Sequence, residues 1–229
     1  MSGSRSAQSD SVPSRFTSRA RLEILLSPVL VIAVGHVTAR LSGHHLGVWS
    51  WAVLALVFWS TAALICYRHG GVADWRTRLR RSQGRAVWAT LALLVGFIPL
   101  PIFLLNWKLL LPLELLLPWL LFGLVNPWIE EGYWRGLLLD ASEGWPIGLR
   151  VAYTAGAFAI SHPLMFGVNS VGVRSPEVLI STFVMGAVWA VVYLKTKSLR
   201  WCIASHMLVD LLSLSVPVFM NVYVPPGPV

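Results

Sequence analysis

Apolar runs long enough to cross a lipid bilayer recur along most of this 229-residue sequence. A bilayer core of about 30 Å is crossed by about 20 helical residues, and a helix satisfies its own backbone hydrogen bonds in lipid. The sequence therefore predicts an all-α, polytopic membrane protein with about seven transmembrane helices. The predicted spans cover residues 22–41, 47–67, 86–105, 109–136, 148–166, 176–194 and 201–220.

The composition also favours a membrane location. Hydrophobic residues make up 56% of the chain, charged residues only 12%, and the mean hydropathy is +0.68. A soluble core of this length could not cover so much apolar surface, so lipid must cover it. A net charge of +8 would suggest nucleic-acid binding in a soluble chain. Because no aromatic and basic binding platform is present, we expect no nucleic-acid partner.

The positive charges are distributed unevenly between alternate connections. Of the 18 Lys and Arg residues, only Arg40, Lys108 and Arg174 fall on one side of the predicted spans. Cytoplasmic connections retain Lys and Arg, so this distribution predicts a cytoplasmic N-terminus. We expect one helical transmembrane domain over residues 21–221, with a disordered cytoplasmic tail at 1–20 and a short tail at 222–229. The lack of long loops favours a bacterial inner membrane as its location.

The fourth predicted span contains three charged residues close together, in the segment Asn126-Pro-Trp-Ile-Glu-Glu-Gly-Tyr-Trp-Arg-Gly136. Charges inside a span are costly, so they mark functional sites or paired structural bridges. Glu131 and Arg135 are four residues apart and can pair on one helix face, whereas Glu130 points about 100° away. A free carboxylate in a poorly hydrated cavity suits a general base. An ordinary interfacial salt bridge is the alternative, and the Asn-Pro pair is expected to distort the helix.

Two histidines lie inside the fifth and seventh predicted spans. His162 is about 18 Å into the fifth span when counted from Arg150, and Pro163 prevents a regular helical continuation there. On its own, His162 is equally consistent with an interhelical hydrogen bond. His206 and Asp210 are one turn apart, so the carboxylate can fix the orientation of the imidazole. These ionisable residues lie on three apolar helices, where burial of each one costs free energy. Convergence on one shared cavity would offset that cost, so we expect them to lie close together.

Taken in order, these motifs resemble the CPBP (Abi) family of CAAX prenyl proteases and bacteriocin-processing enzymes. The similarity covers about residues 118–215, and its three motifs read Glu130-Glu131-x-x-x-Arg135, Phe158-x-x-x-His162 and His206-x-x-x-Asp210. The resemblance implies a glutamate-dependent intramembrane endopeptidase of all-helical fold. Its cavity would open toward the cytoplasm and laterally toward lipid.

The same resemblance implies a role for each matching residue of the first two motifs. Glu130 would be the general base and would activate water together with His162. Glu131 and Arg135 would organise that base. For Glu130 to meet His162 within the bilayer, the fourth helix must continue past Gly136 toward Asp140.

The resemblance implies that the third motif stabilises the oxyanion of the tetrahedral intermediate through His206 and the residue at position 210. Family members with an oxyanion-stabilising amide have Asn there, and an ionised Asp cannot donate a hydrogen bond. Asp210 would have to be protonated, orient His206, or bind a metal. We predict no cofactor. The alternative is a zinc ion held by His162, His206 and a carboxylate, which no HExxH motif supports.

The predicted function is an intramembrane endopeptidase that cleaves a membrane-anchored or lipidated protein or peptide near the membrane surface. The lipid bilayer is its other predicted partner, and C-terminal processing or sorting of exported proteins is one role that fits. One alternative is a non-catalytic immunity or scaffold protein that retains the motifs as interhelical bridges. Another is a small transporter or proton-coupled channel, which the lack of an internal repeat disfavours.

Overall fold

A computed structural model describes residues 15–225 of the chain, and in this part the regular structure is helical throughout, with no strand. Short 3₁₀ turns connect several of the helices. In chain order the helices are α1 (Ser18–Leu46), α2 (Ser50–Arg78), α3 (Val87–Phe97), α4 (Leu100–Asn106), α5 (Leu113–Glu131), a π-helical segment (Gly132–Leu138), α6 (Leu139–Ala141), α7 (Ile147–Leu164), α8 (Pro176–Thr196), α9 (Arg200–Leu212) and α10 (Ser215–Phe219).

Five helical segments of the described part are long and apolar enough to cross a membrane. Large aliphatic side chains remain exposed on them, for example Val29 and Leu64, as expected for surfaces that face lipid. The all-helical, multi-pass membrane architecture is thereby confirmed. The five segments are Ser18–Gly71, Val87–Leu110, Leu113–Ala141, Ile147–Val168 and Pro176–Thr196.

The expected count of seven spans is not confirmed. The first of the five segments contains two expected spans, α1 and α2, which pack against each other across the turn Gly47–Trp49. The seventh expected span is interrupted, because α9 ends at Leu212 and Leu214 adopts a left-handed conformation with φ of 57°. That conformation cannot continue an α-helix. The cytoplasmic N-terminus and the bacterial inner membrane stay predictions.

Helix α1 begins inside the segment expected to be a disordered tail. The Thr17 hydroxyl accepts a hydrogen bond from the backbone N–H of Ala20 at 3.2 Å and so caps the helix. Residues 1–14 and 226–229 of the two expected tails lie outside the described residues. The fourth expected span does run on toward Asp140, because α5, the π-helical segment and α6 follow one another without interruption to Ala141.

A buried ionic cluster fixes the far end of this fourth span. Arg78 Nη2 lies 2.8 Å from Asp74 Oδ2 and 3.2 Å from Asp140 Oδ2. The Tyr193 hydroxyl donates to Asp140 at 3.1 Å, and Arg15 pairs with both aspartates. Helices α2, α6 and α8 are therefore joined at one end of the bundle, just beyond the segment that carries Arg135.

Candidate active site

A π-helical segment follows directly after the two glutamates at the end of α5. Two glycines in it allow α2 to approach closely, since a Cβ atom at Gly136 would lie 2.9 Å from Arg78 Cδ. The Tyr133 hydroxyl is hydrogen-bonded to the Ser27 hydroxyl of α1 at 2.7 Å. π-Helical turns are rare and are frequent at functional sites. Here the segment turns Arg135 inward while it stays anchored to α1 and α2.

Glu131 and Arg135 form the ion pair that their spacing predicted. Arg135 Nη1 donates to Glu131 Oε1 at 3.0 Å, and both side chains are 0% exposed. The guanidinium also lies over two aromatic rings, 4.2 Å from the centroid of Phe158 and 5.1 Å from that of Trp189. Cation–π contacts of this kind partly replace the water that a buried guanidinium loses.

His206 is held by Glu131 rather than by Asp210. Its Nδ1 donates to Glu131 Oε1 at 2.8 Å, whereas its Nε2 is 3.6 Å from Asp210 Oδ1, too far for a hydrogen bond. Asp210 therefore contacts the imidazole at ion-pair distance, and the hydrogen bond that orients the ring through Nδ1 is made by Glu131. The reason is that α5 packs against α9 and brings Glu131 to the opposite side of the ring. Trp189 stacks on that ring at 4.5 Å.

Glu130 is the carboxylate that the described residues leave free. It is 3% exposed and makes no hydrogen bond within residues 15–225, where its Oε2 is a buried atom without a hydrogen-bond partner. Its nearest ionic group is His206, whose Nε2 lies 3.4 Å from Oε2. This confirms that Glu130 and Glu131 are in different environments. One carboxylate is neutralised by Arg135, and the other faces an imidazole.

His162 reaches the cluster through Phe158. Its Nδ1 donates to the Phe158 carbonyl oxygen at 2.9 Å, which leaves Nε2 as the free ring nitrogen. The Phe158 ring is 4.7 Å from the His162 ring and 5.9 Å from the His206 ring, so it lies beside both imidazoles. No hydrogen bond or ion pair joins His162 to Glu130 in the described part of the chain. Helix α7 ends at Leu164, just after Pro163, as expected.

Asn126 is a site residue that the sequence reasoning missed. Its Nδ2 donates to Asp210 Oδ2 at 3.0 Å, and its Oδ1 accepts from Trp59 Nε1 at 2.8 Å. Because the indole can only donate, the amide orientation is fixed with its NH₂ group toward Asp210. The available signal was that Asn126 and Glu130 are four residues apart and so share a helix face. The adjacent Pro127 indicates only a distortion of the helix backbone.

In the part of the chain that the structure describes, His162, His206 and a carboxylate are not grouped as in the zinc site considered from the sequence. A zinc site would need His162, His206 and one carboxylate to converge at about 2 Å from one point. Within residues 15–225, no group of three or more His, Cys, Asp or Glu side chains is arranged to hold a metal ion. The prediction of no cofactor remains untested.

Comparison with known proteins gives a match over the part of the chain that carries this cluster. Residues 112–212 match the sequence model of a family described as type II CAAX prenyl endopeptidase, Rce1-like. The matched segment runs from the start of α5 to the end of α9 and includes Asn126 and all six residues predicted as catalytic. No curated protein and no solved structure matches the chain.

Proposed function

From the match of residues 112–212 to the Rce1-like model of type II CAAX prenyl endopeptidases, we propose that this chain is a member of that family and an intramembrane endopeptidase. Its nucleophile is water activated by Glu130. The family is a protease family, and the chain is a multi-pass membrane protein. The observation that carries the proposal is the environment of Glu130. It is buried, free of hydrogen bonds from residues 15–225, and next to His206.

The proposed first step is general-base attack by water on the scissile carbonyl. Glu130 removes a proton from the water, the water oxygen forms a bond to the carbonyl carbon, and the carbonyl oxygen takes the negative charge. Glu130 then returns the proton to the leaving amine as the peptide C–N bond breaks. His162 supports this step with Nε2, since its Nδ1 is occupied by the Phe158 carbonyl oxygen.

The proposed oxyanion donors are His206 and an amide. Glu131, itself paired with Arg135, holds the His206 ring through Nδ1, so that a protonated Nε2 can donate. Asp210, when ionised, cannot donate. The Asn126 amide lies beside it and has a second N–H that Asp210 does not use. In this chain we propose that the Asn126 amide donates a hydrogen bond to the oxyanion. Asp210 orients that amide by accepting its other N–H.

Exchanging the two side chains tests this assignment. Asn126→Asp is expected to lower kcat about 10²-fold to 10³-fold with little change in KM, since one oxyanion donor is lost. The double variant Asn126→Asp/Asp210→Asn restores one amide and one carboxylate, so it is expected to recover most of that loss. The measurement is steady-state cleavage of one substrate by the three purified proteins.

The control for this exchange is Trp59→Phe. It removes the indole that orients the Asn126 carbonyl but leaves the amide in place. A smaller loss of kcat, within about tenfold, is expected because one neutral hydrogen bond contributes about 1 kcal/mol. If the double exchange is no more active than Asn126→Asp, the amide does not act as an oxyanion donor.

We propose that the substrate is a membrane-anchored or lipidated protein or peptide. The support is that Glu130 lies in the segment Leu113–Ala141, which is long and apolar enough to cross a membrane, so a substrate held at the membrane is brought close to it. Removal of C-terminal sorting tails from exported proteins is one such reaction. The site is proposed to work without a cofactor, in a bacterial inner membrane.

The experiment that tests the function needs no known substrate. N- and C-terminal peptides of the membrane proteome are mapped in host strains that carry either the wild type or Glu130→Gln at equal expression. A small set of termini missing from the variant strain is expected, and their sequences give the cleavage motif. Identical termini in both strains would contradict proteolysis.

One observation favours a non-catalytic scaffold as the second candidate. Glu131, Arg135 and His206 join α5 and the π-helical segment to α9 through hydrogen-bonded ion pairs, as an interhelical structural bridge does. Glu130→Asp separates the two candidates. A scaffold keeps its function because the charge is preserved, whereas a peptidase loses activity because the carboxylate retracts by one methylene group from the water.

A further inference from the structure

A cavity of about 520 Å³ lies outside the candidate active site, where the ends of α1 and α7 meet the 3₁₀ turn Gly172–Arg174. All its titratable lining residues are basic or histidine. His36, Arg40 and His44 come from α1, and Arg174 comes from the turn. Of the residues that the structure describes, no Asp or Glu lines the cavity. Neither Arg40 nor Arg174 has an ion pair with any carboxylate in residues 15–225.

These side chains are placed by the fold. His36, Arg40 and His44 are spaced by four residues and so lie on one face of α1. Gly167 lets the stem of Arg174 pack closely, since a Cβ atom at Gly167 would lie 3.0 Å from Arg174 Cγ. The His36 Nδ1 donates to the Leu164 carbonyl oxygen at 2.7 Å, which leaves its Nε2 free.

The wall of the cavity is also braced by Asn169, which lines it. Its amide donates to the carbonyl oxygen of Ala39 at 2.8 Å and to the Ser50 hydroxyl at 2.9 Å. Asn221 donates to the Asn169 carbonyl oxygen at 2.9 Å. The backbone of α1 that carries Arg40 is thus tied to α2 and to the segment next to Arg174, and the two arginines line the same cavity.

We infer that this cavity binds a phosphate group, and that the phosphate belongs to an anionic phospholipid. Arg40 and Arg174 line this cavity without a carboxylate beside them in the described residues, so an anion bound there would offset the like charge of the two groups. Guanidinium groups match phosphate oxygens with paired hydrogen bonds. The lipid source follows from the surroundings, because the exposed aliphatic side chains of Val37 and Leu41 flank Arg40 on α1.

The test is a ligand titration of the purified full-length protein in a neutral detergent. Short-chain phosphatidylglycerol is added, and thermal unfolding is followed by tryptophan fluorescence. Binding to the folded state raises Tm with ligand concentration. Arg40→Gln/Arg174→Gln is expected to weaken the apparent affinity at least about tenfold, the effect of losing one hydrogen bond to a charged group. The single variant Arg40→Gln serves if the double variant does not fold.

Lys108→Gln is the matched control. Lys108 is exposed, does not line the cavity, and is the third cation predicted on the same side of the membrane. The affinity of the Lys108→Gln variant for phosphatidylglycerol should equal that of the wild type. An equal loss in Lys108→Gln, or no loss in the double variant, would overturn the site. If short-chain phosphatidylcholine binds as tightly as phosphatidylglycerol, and the two arginine substitutions weaken both, the cavity is not selective for anionic lipid.

Inorganic phosphate distinguishes the two sources of the phosphate group. Stabilisation by phosphatidylglycerol without a response to sodium phosphate supports the lipid. An arginine-dependent response to sodium phosphate at the same concentrations supports the phosphate site and overturns the lipid as its source. Because no cleavage is measured, the result is independent of whether the chain is a peptidase.

Discussion

Glu130→Gln is expected to lower the rate of cleavage by about 10³-fold or more and to leave the protein folded. The amide has the size of the carboxylate but cannot take a proton from water, and general-base catalysis contributes about 10²-fold to 10⁴-fold. Within residues 15–225 the carboxylate makes no hydrogen bond, so few native contacts are lost. The measurement is kcat on a substrate found by terminus mapping, with Tm recorded for the same preparation.

The control for Glu130→Gln is Glu114→Gln. Glu114 is an exposed acidic residue in the first turn of the same helix, so its charge is lost far from the cluster. Its kcat should stay within about twofold of the wild type, because exposed substitutions of this kind change little. If Glu130→Gln keeps more than a tenth of wild-type activity at unchanged Tm, another group activates the water.

The parts of the site that depend on local spacing could be predicted from the sequence. Glu131 and Arg135 are four residues apart, and any helix places them together. The continuation of the fourth span past Gly136 toward Asp140 followed from the requirement that Glu130 lie within the bilayer, and the helix ends at Ala141. The length of the apolar runs predicted the all-helical fold, because a helix satisfies its own backbone hydrogen bonds in lipid.

The parts that depend on packing between helices could not be predicted. His206 and Glu131 are 75 residues apart, and only the packing of α9 on α5 selects Glu131 over Asp210 as the partner of Nδ1. The Asn126–Asp210 hydrogen bond joins the same two helices. The break at Leu214 is made by a left-handed backbone conformation at a residue that is not glycine. The sequence therefore has no glycine at that position to predict the end of the helix.

Arg135→Gln is expected to give the largest loss of stability. It leaves Glu131, which is 0% exposed, with no cation except His206, and it removes the cation–π contact with Phe158. Removing one partner of a buried ion pair lowers the free energy of unfolding by about 3–5 kcal/mol. Arg19→Gln is the control, since its pair with Glu23 is on the surface and should contribute less than about 1 kcal/mol. The free energies of unfolding of the two variants and the wild type are compared by denaturant titration in mixed micelles.

A double variant then shows whether the loss comes from the unpaired charge. Glu131→Gln/Arg135→Met removes both charges yet keeps an oxygen that can accept from His206 Nδ1. Well-packed neutral replacements of buried ion pairs are often close to neutral in stability. The double variant should therefore be more stable than Arg135→Gln. It should still lose activity, because the Glu131 carboxylate that stabilises a positive charge on His206 has been removed. If both variants are equally unstable, the packing of Arg135 against Phe158 and Trp189 stabilises the fold more than its charge does.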